Sequence, residues 1–340
     1  MPMDEKITQI VSTQTIDDTD LWLTVHNLAT TPITKGKTGS LFKTWLKAYF
    51  DTLYPISGPQ GFGDNYVITP SISTNNLVVA VKTLAGADPS ASALMAFRIG
   101  NAKRILTSAL TLTVTAGSSI FNLGAIEFAG LKNQLFVYMG WRAVSSTLFL
   151  GLSRIAHGAT YADFSATSTN EFYLAYTGSA PASTDEVVCI GRIDVQNSGT
   201  ASYNWSLPGG AYVVNRPIYE TDWLTYAPIQ SGFSAAPTAT NYQYKMFGRC
   251  ILWEHAQGTS GVSSATTFTQ SLPFTCATST NSVFPGVMGT TVDNGVLQGT
   301  PGRIFVLSGS NSLTLNKDTA GTGWSATGGK RSINSGFYQI

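Results

Sequence analysis

The sequence predicts a mainly β protein: a short N-terminal α-containing head followed by two antiparallel β-sandwiches of jelly-roll type. Three observations carry that expectation. Residues 33–54, ITKGKTGSLFKTWLKAYFDTLY, are the one stretch that combines helical periodicity with a high density of charge. Beyond residue 65 the chain breaks mostly into short runs of β-branched and aromatic residues bounded by Gly, Ser, Asn or Asp. Charged residues make up only 11% of the 340, less than half of the roughly 25% common in soluble domains.

In the head, Phe42, Leu46, Tyr49 and Leu53 recur at spacings of four, three and four, so a helix over 40–54 places them on one face, with Trp45 and Phe50 widening the stripe. Thr38 or Ser40 can cap its start and Pro55 ends it. A helix this short is marginal alone in water. Its stripe therefore packs either on the preceding segment, with Leu21, Trp22, Leu23 and Val25, or on copies of itself around an axis. PISGPQGFGDN at 55–65 has two prolines and three glycines and reads as a linker.

From there strand-length runs succeed one another. NLVVAVK carries Leu77, Val79 and Val81 in alternation; then come TLTVT at 111–115, LFVYMGW at 135–141, TLFLGL at 147–152 and VVCIGRI at 187–193. Short strands at this spacing predict a central sandwich over 66–220. A second boundary falls near 219–228, and further strand-length runs to the terminal SGFYQI predict a C-terminal sandwich over 221–340. Ending on a strand ties the terminus into a sheet.

Composition limits function. Ser and Thr together number 77, and the formal net charge is +1, so no cluster of Lys or Arg is offered to nucleic acid. Eleven of the 39 charged residues lie in the first 54 positions and nine in 232–340. A charged head suits a polar docking site, and a neutral tail suits a neutral surface such as carbohydrate. No stretch reads as a signal peptide or a membrane-inserting helix. Cys189, Cys250 and Cys276 are odd in number and far apart, and read as free thiols made in a reducing cytoplasm.

Catalytic signals are weak. His26, His157 and His255 stand apart with no metal-ligand spacing, and neither a metal nor another cofactor is expected. Glycoside cleavage needs two carboxylates about 5 to 10 Å apart; the candidates are Asp163 with Glu171, Asp185 with Glu186, and Glu220 with Asp222. Each has a plainer reading as a turn or strand-end carboxylate, and the chain is expected not to be an enzyme. Aromatic rings matter more, because they stack on sugars: Trp205, Trp223, Trp253, Trp324, Tyr203, Tyr242, Tyr244 and Tyr338. Most are expected in the core. Trp324, in the Gly-rich AGTGWSATGG, is the expected exposed exception and the candidate receptor-binding residue.

The head, with TDL at 19–21, ITK at 33–35 and LKAYFDTLY at 46–54, resembles an N-terminal module of structural proteins of tailed bacteriophages. SISTNNLVVAVKTLAGADPSASALMAFRIGN, YADFSATSTNEFY and RPIYETDWLTYAP resemble β-domains of phage tail or fibre proteins. The resemblance implies a virion component made in the host cytoplasm. Its head would anchor to other virion proteins in tail, baseplate or capsid. Its β-domains would project as a short homotrimer and bind a host surface glycan or receptor through the C-terminal domain. A capsid-bound head fibre is the alternative, and a glycan-degrading tailspike a more distant one. Independently, packing around a shared axis covers strand edges that few charges protect.

Overall fold

The computed structural model describes residues 21–26, 33–38, 63–117, 119–199, 203–209, 212–238, 240–278 and 286–340. The fold is mainly β, with 49% of residues in strands, and among the described residues the one helical element is a 3-10 turn at Tyr161–Asp163. The chain divides into two compact units, Met1–Gly58 and Pro59–Ile340, so the division falls inside the Pro- and Gly-rich stretch.

In the first unit, β1 (Leu21–His26) and β2 (Ile33–Thr38) form an antiparallel hairpin from Leu21 opposite Thr38 to His26 opposite Ile33. ITKGKT, grouped with the helical stretch in the sequence, is thus a strand. The predicted helix over 40–54, with Phe42, Trp45, Leu46, Tyr49, Phe50 and Leu53, lies outside the described residues.

The second unit opens with a sheet in which β3 (Val67–Ser73) and β4 (Asn76–Lys82) form a hairpin. Strand β5 (Met95–Ile99) pairs with β6 (Ala102–Leu106) in a separate small sheet, and β7 (Leu110–Val114) returns to β4. Leu77, Val79 and Val81 are buried, as their alternation predicts. The middle sheet is built on β8 (Lys132–Arg142), flanked by β9 (Thr147–Ser153) and β10 (Glu186–Asn197). Residues 133–140 of β8 are buried on both faces, which is why that run is nearly continuous in apolar residues instead of alternating.

In the C-terminal sheet, β11 (Thr240–Phe247) turns back into β12 (Cys250–Gln257) through Gly248 and Arg249. Gly248 holds φ 57° at the first turn position, a conformation glycine adopts without a Cβ clash. β13 (Gly286–Asp293), β14 (Arg303–Val306) and β15 (Ser312–Asn316) come next. The last strand, β16 (Gly329–Gln339), lies between β12 and β13, so the chain ends inside its sheet.

Residues 66–220 and 221–340 belong to one compact unit. A layer of side chains across the seam joins them. Arg154, 2% exposed, lies with Cζ 4.1 Å from the Phe128 ring and 4.5 Å from the Phe274 ring. It donates to the Phe121 carbonyl at 3.1 Å and toward the Tyr244 hydroxyl at 3.4 Å. Around it the Ala156 amide donates to the Met246 sulfur, Thr275 donates twice to Glu171, and Ala227 N donates to Glu127 O. Gln134 on β8 bonds the Asp194 and Asp222 carboxylates through Nε2 and receives the Asp222 amide on Oε1.

Replacing Arg154 by Ala empties this seam and is expected to destabilise the protein by about 3 kcal/mol or more. Hydrogen exchange should then rise together in 135–153 and 240–257; a rise confined to one of them would show that the two parts open independently.

Candidate functional site

Strand alternation gives the β11–β12–β16 sheet two different faces. Tyr242, Tyr244, Met246, Ile251, Trp253, His255 and Tyr338 point inward and are buried. Their neighbours point outward in cross-strand rows: Lys245, Leu252 and Phe337; Gln243, Glu254 and Ser335; Asn241, Ala256 and Ile333. Four large apolar side chains on this outer face are well exposed: Phe247 at 62%, Phe337 at 62%, Leu252 at 40% and Ile333 at 40%. Trp223, 43% exposed, precedes Leu224, which is buried and pairs with Tyr244, so alternation turns the indole outward at the edge of the same face. Apolar groups gathered on one exposed face mark an interaction surface.

At the other end of the face is a groove of about 290 Å³ bordered by Asn241, Glu254, Ala256, Gly289, Ile333 and Ser335. It opens where the β13–β16 register slips by one residue between Met288 and Thr290, a bulge that bends the strand. Lys245 is paired with Glu220 at 2.8 Å. Glu254 has neither an ion pair nor a side-chain hydrogen bond among the described residues.

Directly beneath lies a buried polar cluster. The Trp253 and His255 rings stack at 4.6 Å, the Tyr226 hydroxyl is 2.5 Å from His255 Nε2, and Gln270 Nε2 is 2.8 Å from it. Gln270 Nε2 is also within hydrogen-bond reach of His255 Nδ1, so one carboxamide faces both ring nitrogens. Burial holds the His255 pKa down at about 3, against a bond from Asn334 that acts in the opposite direction.

The candidate from the Gly-rich loop is corrected. Trp324 is 2% exposed; its indole N–H donates to the Leu315 carbonyl at 2.7 Å and its ring meets Phe268 edge-on. It walls a cage around Lys330, whose buried ammonium donates to the carbonyls of Gly232, Ala265 and Thr267. The ammonium also sits over the rings of Phe233, Phe268 and Trp324. A buried cation needs electron-rich walls, and the glycines let the loop fold down to supply one. Trp205, Trp253, Tyr242, Tyr244 and Tyr338 are core residues. Of the tryptophans singled out, Trp223 alone remains well exposed.

Five of the six candidate carboxylates are engaged in structural bonds, and Glu186, exposed at the start of β10, has no side-chain partner among the described residues. Asp163 receives the amides of Ala159 and Thr160 and pairs with Arg249. Burial works against its charge, but those amides and Arg249 outweigh it and hold its pKa below the usual carboxylate value. Glu171 receives Thr275, Asp185 receives the amides of Ala143 and Ala182, Glu220 pairs with Lys245, and Asp222 pairs with Arg192. Among the described residues no group of three or more His, Cys, Asp or Glu is placed to hold a metal, and the three cysteines are free, with Cys189 and Cys276 buried.

Sequence reasoning missed Phe247, Leu252 and Phe337. A signal for the last was present: Phe337 and Tyr338 are adjacent on a strand, and adjacent side chains take opposite faces, so burying one ring in a sheet covered on one side exposes the other. No protein-family model, curated protein or solved structure matches this chain.

Since His255 titrates near 6.5 when unfolded and near 3 when folded, acid protonates the unfolded state first. Stability is complete above about pH 6.5 and falls below it by about 1.4 kcal/mol per pH unit until the folded pKa is reached. Denaturant unfolding at pH 7.5 and 5.0 should show a loss near 2 kcal/mol from this residue, and a His255→Gln variant should show a correspondingly flatter profile.

Proposed function

We propose that this chain is a structural protein of a tailed-bacteriophage virion, a short homotrimeric fibre that anchors through its N-terminal unit and binds the host surface through residues 221–340. In the finer architecture of this reading, a helical anchor over 40–54 precedes two sandwiches of jelly-roll type packed as one body. The observation that carries it is the outer face of the β11–β12–β16 sheet, where Trp223, Phe247, Leu252, Ile333 and Phe337 are displayed on a body with few charges. The division of the chain after Gly58 supports a separate head, and the 19–54 segment resembles a phage attachment module.

The carboxylates engaged in structural bonds support a binding role over glycan cleavage. A trimer would present three copies of the face, and such multivalency raises avidity by about 10² to 10⁴ over one site.

Gold-labelled antibody against residues 232–340 should decorate the tail tip of purified virions in electron micrographs. Label spread over the capsid would replace this reading with a head fibre.

The anchor makes its own prediction. A Trp45→Ala, Leu46→Ala double variant should lose the trimer in size-exclusion light scattering, and trimers that persist would remove these residues from assembly.

A further inference from the structure

We propose that the groove on the outer face of the β11–β12–β16 sheet holds a neutral saccharide ring, with its hydroxyls on Glu254, Asn241 and Ser335 and its apolar side toward Ile333. This rests on the reading of the chain as a host-surface binder and adds the ligand class and the site.

Size is the first argument. At about 290 Å³ the groove is just under the roughly 300 Å³ at which ligand pockets begin, which leaves room for a single ring and no more. Its depth comes from the bulge at Gly289: a Cβ there would meet only the Ile333 carbonyl, at 3.5 Å. The position has no side chain to fill the space.

Chemistry is the second. An ionised Glu254 only accepts hydrogen bonds, the Asn241 carboxamide donates and accepts, and the Ser335 hydroxyl does both. Glu254 and Ser335 are opposite each other in the β12–β16 register, so their side chains are about 5 Å apart at Cβ. Adjacent hydroxyls on one ring can donate together to the carboxylate and accept from the amide and hydroxyl.

Charge narrows the class. Among the described residues no Lys or Arg borders the groove; on the same face Lys245 is held by Glu220, and Arg331, two residues before Ile333, donates to the Gly258 carbonyl. A phosphate or sulfate would therefore meet Glu254 uncompensated, a like-charge contact that disfavours such ligands. Phe337 lies two residues beyond Ser335 on the same side of β16 and opposite Leu252. It therefore lies outside the groove, in which Ile333 supplies the apolar patch that a sugar's C–H face needs beside the polar groups.

The test is saturation-transfer difference NMR on the full chain with methyl glycosides of glucose, galactose, rhamnose and N-acetylglucosamine. Glu254→Gln and Ile333→Ala change exposed side chains and should leave the fold intact. The expected result is binding of at least one glycoside, weakened about tenfold by each variant. No glycoside signal, or a signal that neither variant changes, would overturn the inference. So would a Phe337→Ala variant that falls from trimer to monomer in light scattering, since the face would then be a contact between copies.

Virion adsorption separates this inference from the reading beneath it. Variants that reduce adsorption without any glycoside binding leave the host-binding role and remove the saccharide. Variants that lose the glycoside yet adsorb normally leave the site and remove the role.

Discussion

Arg154 carries its positive charge into the seam between the middle and C-terminal sheets, where a carbonyl, a hydroxyl and two aromatic rings surround it and no carboxylate pairs with it among the described residues. A guanidinium buried this way is stable only while both sides of the seam are in place, because its walls come from 121–128 on one side and 244–274 on the other. Arg154 thus helps hold residues 59–340 as one unit, beside the Ala156–Met246, Thr275–Glu171 and Gln134–Asp222 bonds across the same seam. Lys330 repeats the solution with three carbonyls and three rings. In a chain with only 19 carboxylates, carbonyl dipoles and ring faces do what ion pairs do elsewhere.

Rigid support for the candidate face comes from the same packing. The inward residues of β11, β12 and β16 are locked against the seam through Tyr244, Met246 and Tyr338, and against each other through the His255 cluster. Their outward neighbours inherit fixed positions from the strand period. A surface set on central strands is better suited to repeated weak contacts than one on loops, since its geometry needs no ordering on binding. The proposed recognition surface is accordingly the sheet face, while the Gly-rich loop around Trp324 serves the core.

Free carboxylates are scarce for a related reason. Asp163, Glu171, Asp185, Glu220 and Asp222 terminate turns or join segments distant in sequence. Glu254, like Asp64, Glu127 and Glu186, has no side-chain partner among the described residues, and it faces outward on a central strand.

Much of this was legible in the sequence. Alternation at Leu77, Val79 and Val81, the continuous apolar run of β8, the strand-like C-terminus and the break near 55–65 follow from local chemistry, because side-chain period and turn residues act over a few positions. The partners of Trp324 and Arg154 did not follow. A Gly-rich loop reads as exposed until the strand 9 residues earlier offers a carbonyl for its indole, and an arginine reads as solvated until rings from both halves close on it. Which of two alternating faces is covered is likewise a long-range decision: β16 could have buried Phe337 or Tyr338, and only pairing with β12 above the Phe274 segment selects Tyr338. The sequence by itself determined a low-charge β protein with a separable head, and the tertiary structure alone decided which rings it conceals and which it displays, since burial depends on neighbours the local chain does not contain.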